Sequence, residues 1–291
     1  MKKILTIVLS LALCISMSAC GGEETEQTSP TNQTVPTLTD MNQTEPVLTE
    51  QVIYDADGIR VTVKGMEENT MTGTNIRILL ENGTDRNIVF SGDLFVVNDA
   101  TVPGYLYAEA AAGTRKNDAI EFYKDALNAS GIAYIGEIRG FDTRIVDTDT
   151  YETLAEVPLE LTTAYAREGS YAHDDSGVTR YDDQGLLVPA QMISTEFYGR
   201  TTRLLVKNET EKDIIVEAEN ISVNGYTVDA WLYDTVVADT VRSCQLDLFQ
   251  SGLEENGIDQ IETISFRLNF LDAASFDTIA QSEVLTVDVM G

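Results

Sequence analysis

The chain has 291 residues, 43% of them hydrophobic and 23% charged, a balance that supports packed domains and excludes wholesale disorder. Its 48 Asp and Glu against 19 Lys and Arg give a formal net charge of −29, which repels phosphate backbones and anionic headgroups and argues against nucleic acid as a partner. A single His and three Cys leave almost no raw material for a His/Cys zinc site or a His-based catalytic triad.

Residues 1–19 read as a secretory signal. Lys2 and Lys3 precede an apolar run from Ile4 to Ile15, and the small residues Ser18 and Ala19 follow. The run is shorter than the roughly 20 residues a spanning helix needs, and no later stretch supplies that length, so no transmembrane helix is expected after cleavage. Met17-Ser18-Ala19-Cys20 resembles a bacterial lipobox, with Met17 where Leu is commoner. The resemblance implies cleavage after Ala19 and a diacylglyceryl group, with its palmitate-type acyl chains, on Cys20. The expected location is the extracytoplasmic face of the cell membrane, held by that lipid anchor. Loss of Lys2 and Lys3 would take the basic residues from 19 to 17 and the net charge from −29 to −31. Two or three acyl chains, at about 0.8 kcal/mol per buried methylene, hold such a chain on a bilayer despite its charge. Cys14 leaves with the signal and Cys20 takes the lipid, so Cys244 has no disulfide partner.

Residues 20–51 carry the lipidated Cys and a stretch rich in Thr, Gln, Glu, Asn and Pro, in which Asn32-Gln33-Thr34-Val35-Pro36 recurs as Asn42-Gln43-Thr44-Glu45-Pro46. Such a composition predicts a disordered tether spanning on the order of 30 Å.

Beyond the tether the chain repeats itself at an offset of about 126 residues. Gly73, Asn82, Ile88, Val97, Asn98 and Val102 match Gly199, Asn208, Ile214, Val223, Asn224 and Val228; the register continues through Leu106/Leu232, Tyr107/Tyr233, Leu127/Leu253, Gly131/Gly257 and Ile138/Ile264. Near the ends it slips by one, pairing Tyr151–Ala155 with Phe276–Ala280. Two homologous domains are expected, 52–164 and 180–290, joined by a polar linker over 165–179 that holds a solvated His173.

Within each copy the periodicity is that of strands. Ile59, Val61 and Val63 alternate with polar residues, as do Ile76, Ile78 and Leu80 apart from Leu79; Leu204–Val206, Asp213–Val216 and Leu285–Val289 read the same way. Asn82-Gly83, Asn98-Asp99, Asn208-Glu209 and Asn224-Gly225 supply turns. Short helical turns are predicted over Lys124–Ser130 and Ser251–Asn256, closed by left-handed Gly131 and Gly257. The fold class is all-β: two tandem β-sandwiches, each with a short helical turn. Tyr105, Tyr107, Trp231 and Tyr233 occupy matched positions and are read first as core or sheet-face packing, second as a ligand platform.

Val223-Asn224-Gly225-Tyr226, Leu253–Ile258 and Ser275–Ile279, after a lipobox, resemble the tandem immunoglobulin-like lipoproteins of Gram-positive, Clostridia-type bacteria. The similarity spans residues 52–290. It implies an Ig-like sandwich on a lipidated extracytoplasmic protein, and neither a reaction nor a ligand. The first copy departs at Val97-Asn98-Asp99-Ala100, where the Gly-Tyr is missing, which points to inequivalent copies.

Chemistry-bearing motifs are few. Asp55-Ala56-Asp57-Gly58, Asp147-Thr148-Asp149 and Asp174-Asp175-Ser176-Gly177 place carboxylates at spacings a hard cation can use, yet none is an EF-hand loop, and no specific metal site is expected. No Gly-x-Ser-x-Gly or Ser-x-x-Lys motif occurs. Cys244, in the strand-like run to Leu248, is read as a small buried hydrophobe. Neither a catalytic residue nor a cofactor is expected. The functional expectation is a non-enzymatic binding module at the cell envelope, its partner an envelope protein or a glycan. The alternatives are an accessory lipoprotein of a transporter or secretion complex, and a carbohydrate-binding module using Trp231.

Overall fold

Burial alternates along most of the chain, and a polypeptide that must bury every second side chain pairs as strands. The structure, a computed structural model, describes residues 47–69, 73–173, 178–196 and 199–288. The first half runs β1 (Gln51–Ala56), β2 (Ile59–Asn69), β3 (Gly73–Asn82), β4 (Ile88–Val97), β5 (Ala100–Ala110), β6 (Arg115–Tyr123), helix α1 (Lys124–Ala129), β7 (Glu137–Phe141), β8 (Arg144–Asp147), β9 (Thr153–Glu156) and β10 (Glu160–Thr162). The second half runs β11 (Val178–Asp183), β12 (Leu186–Glu196), β13 (Gly199–Asn208), β14 (Ile214–Val223), β15 (Tyr226–Thr227), β16 (Ala230–Trp231), β17 (Tyr233–Val236), β18 (Thr240–Phe249), helix α2 (Gln250–Glu255), β19 (Thr263–Asp272), β20 (Thr278–Gln281) and β21 (Leu285–Asp288).

The strands pack as an all-β sandwich, as expected from the sequence. In the first half β1-β2-β3-β6 form one antiparallel layer, while β4, flanked by β5 on one side and by β7 and β8 on the other, forms the facing layer. Ile59, Val61, Val63, Ile76, Ile78 and Leu80 enter the core between them, where Phe95 and Phe122 meet edge to face at 5.2 Å. The second half repeats the plan, with β11-β12-β13-β18 against β14-β19 and a core of its own that includes Phe266, Phe270 and Cys244.

Three polar networks recur at the repeat offset. Asn82 is buried at the end of β3; its amide donates to the carbonyls of Arg86, Ala110 and Ala111, and its oxygen accepts from Thr84. Asn208 does the same for Lys212, Val236, Val237 and Thr210. Asn98 and Asn224, in the turns after β4 and β14, each donate to one carbonyl and accept from two successive amides across the sandwich, Gly136 and Glu137 in one copy and Glu262 and Thr263 in the other. Asp147 and Asp272 each cap a turn through two backbone amides and pair with Arg86 and Lys212. Helices α1 and α2 end on left-handed Gly131 and Gly257, as expected, with Ile132 and Ile258 donating back to Leu127 and Leu253.

A narrow seam joins the halves. Ala100 of β5 bridges Val241 of β18 in parallel, and the hydroxyls of Thr101 and Thr240 meet at 2.7 Å. Thr101 also accepts from the Val237 amide, and Leu94, Val96 and Val237 form a small apolar cluster with Phe141 against it. The first copy's missing Gly-Tyr is explained here. Asp99 holds the left-handed position that Gly225 fills in the second copy, and its carbonyl accepts from Val241 while its carboxylate accepts from Tyr171.

Two expectations about linkers need correcting. Leu48 lies in the first core and the Val47 carbonyl accepts from Ala164, so packing reaches back into the stretch read as tether up to residue 51. The segment after 164 is not a free polar linker either: Tyr165 packs against Tyr134 at 5.3 Å, and the Tyr171 hydroxyl lies so close to Gly136 that a Cβ there would meet it at 2.2 Å. His173 is half-buried, not solvated. Apolar rings spaced through a polar stretch override its average polarity.

Candidate binding face

In β5 the even-numbered residues Val102, Leu106, Ala108 and Ala110 face the core, so Tyr105 and Tyr107 point outward. Tyr105 lies directly across from Glu121 of β6, and Tyr123, two residues on, shares that outer face. The second half builds the same arrangement: Trp231 lies across from Asp247 of β18, Tyr233 follows at the next outward position, and Phe249 takes the place of Tyr123. Each half therefore presents three aromatic rings around one carboxylate on the outside of its sandwich. Tyr105, Tyr107, Trp231 and Tyr233 are 51%, 49%, 59% and 41% exposed, so of the two packing alternatives, core or sheet face, the core is excluded and the rings stand on an outer sheet face. Large rings left half in water recur at equivalent positions of the two copies, so each outer face carries a clustered aromatic patch, not one scattered ring.

The second copy's rings line a cleft of about 330 Å³ at the seam. One wall is Trp231 and Tyr233, whose centroids are 5.9 Å apart with planes inclined by 33°. The other comes from the first half, through Thr101, Pro103 and the α1 residues Asp125, Ala126 and Ala129. The floor is polar. Asp247 accepts a 2.7 Å hydrogen bond from Thr201, and Arg242, largely buried, is tied to the Asp234 carboxylate and the Thr235 carbonyl. Behind the floor, burial pushes the Cys244 thiol well above its usual range, and the nearby Asp234 carboxylate adds to this. A thiol so held is an unreactive core side chain, as its sequence context implies.

The lipobox residues Ala19 and Cys20, the signal over 1–19 and the acidic run Asp174–Gly177 lie outside the described residues. Asp55 and Asp57 belong to the β1–β2 hairpin, where Asp55 pairs with Arg60, and Asp147 is consumed by its turn. Among the described residues no group of three or more His, Cys, Asp or Glu is placed to hold a metal ion, and no helix is long and apolar enough to cross a membrane. Sequence reading missed Glu121, Asp247, Tyr123 and Phe249; the repeat offset links both pairs, and their parity with Ile120 and Leu246 places them outward. Nothing local to the sequence brings α1 to Trp231. Compared with known proteins, the chain matches no family model and no curated protein.

Proposed function

We propose that the protein is a lipid-anchored lipoprotein of the extracytoplasmic membrane face whose two Ig-like domains serve as a non-enzymatic binding module. The repeated aromatic–carboxylate face is its contact surface. The observation that supports this reading most is the recurrence of half-exposed rings around an outward carboxylate in both copies. A chain anchored through Cys20 and a tether would hold that face clear of the bilayer, and its negative charge would keep it from lying on anionic headgroups.

Expression in a Gram-positive host tests both the anchor and the face. The wild type should partition into detergent with a diacylglyceryl mass on Cys20, and the Cys20→Ala variant should leave the membrane; an unlipidated wild type overturns the anchor. The released variant should be retained on isolated cell envelopes, and adding Tyr105→Ala, Tyr107→Ala, Trp231→Ala and Tyr233→Ala should abolish retention. Unchanged retention overturns the assignment of the face.

A further inference from the structure

We propose that the cleft between α1 and the Trp231–Tyr233 pair binds a short, uncharged oligosaccharide, a ligand class that rests on the binding-module reading above. Three observations select this chemistry.

The first is the lining. Two ring faces stand beside the Asp125 and Asp247 carboxylates, the Gln245 amide and the Ser243 hydroxyl. A pyranose offers the complement, a C–H face that stacks on an aromatic ring and a rim of hydroxyls that donate to carboxylates and amides. Asp247 is prepared for this. Thr201, itself buried, fixes the carboxylate through Oδ1 and so sets its orientation toward the cleft.

The second is the ring geometry. Planes inclined by only 33° at 5.9 Å form a shallow, twisted shelf across the junction of β16 and β17. An aromatic cage for a quaternary ammonium closes rings on the cation from several sides, which this pair does not do. A shelf instead suits successive rings of a flat, extended ligand. The cleft volume of about 330 Å³ falls in the range of small-ligand sites, about 300–1,000 Å³.

The third is charge. Asp125, Asp234 and Asp247 line the cleft with one cation, Arg242, whose two terminal nitrogens bond the Thr235 carbonyl and the Asp234 carboxylate while its Nε is buried. With the chain at −29 overall, an anionic glycan is repelled both locally and at long range.

The chain has one Trp, so its emission reports on this cleft alone among aromatic sites. The full-length protein, purified in detergent, is titrated with tetramers of β-linked glucose, N-acetylglucosamine, mannose and galactose, with tetragalacturonate and choline as charged probes. The expected result is a saturable change in emission with at least one uncharged tetramer and none with tetragalacturonate. Tyr233→Ala and Asp247→Asn should each weaken binding about ten-fold, and Tyr151→Ala, an exposed ring outside the cleft lining, should not. Silence with all four tetramers overturns the proposal, as does saturation by choline alone or wild-type affinity in both variants. Acrylamide quenching separates this failure from the broader one: an accessible Trp231 with silent sugars removes only the ligand class, whereas a shielded Trp231 removes the exposed face as well.

Discussion

A single amide does the structural work of a short loop at two positions in this protein. The side chains of Asn82 and Asn208 each bond three carbonyls and a backbone amide at the chain reversals after β3 and β13, sharing some of those carbonyls with threonine donors. Removing the amide takes one donor from each of three carbonyls at once and leaves a gap where a buried side chain stood. Asn208→Ala is therefore expected to destabilise by about 2–4 kcal/mol, read as a fall in the denaturant midpoint at unchanged slope.

Asp147 and Asp272 make the acid response predictable. Backbone amides hold Asp147 below the usual carboxylate range, helped by Thr150 and Arg86; Lys212 and two backbone amides do the same for Asp272. Their folded pKa values lie below the unfolded value of about 3.9. The unfolded chain thus takes up protons first as pH falls, and the stability these groups confer, fully present above about pH 4, is lost as pH drops through the folded values. Asp272→Asn should lower the melting temperature at pH 7 and flatten its decline below about pH 4. An unchanged acid limb would mean that other groups carry it.

The strands were legible where apolar residues alternate with charged or hydroxylated ones, as from Ile59 to Val63, because that pattern has only one face to bury. Tyr-Leu-Tyr in β5 and Trp-Leu-Tyr in β16–β17 are ambiguous taken alone, since all three residues are willing core formers. The decision comes from parity with Val102, Ala108 and Ala110, which bury Leu106 and turn the tyrosines outward. The slip in the repeat also has a physical origin. Asp142, with φ of 54°, is an extra residue that breaks the first copy's strand into β7 and β8, whereas β19 runs through unbroken. The bond from Val157 to the Thr143 carbonyl and that from Ser282 to the Leu268 carbonyl show where the two copies come back into step. The cleft itself was not legible, because it depends on the placement of α1 against a strand more than a hundred residues later.

The whole molecule hangs on a seam far smaller than either core. Thr101 serves it twice, meeting Thr240 and accepting from the Val237 amide, so Thr101→Val would keep the shape and leave that buried amide without a partner. The variant should loosen the coupling of the halves before it unfolds either one. Calorimetry would show this as a broadened transition whose van't Hoff enthalpy falls below the calorimetric one, and a sharp single transition would mean that the apolar cluster alone carries the coupling. Because the cleft has a wall from each half, the same substitution bears on the site.

Val47, the first of the described residues, and Ala164, just after β10, are joined by one hydrogen bond of 2.8 Å. Tension applied across these two residues would therefore enter and leave the first half at a single pole. Strands loaded this way separate rung by rung along the ladder, like a zipper, and do not resist as a set in shear. Loaded in this way, the first sandwich would be a yielding link that lets out chain under a modest pull while the second core, built from its own residues, stays closed.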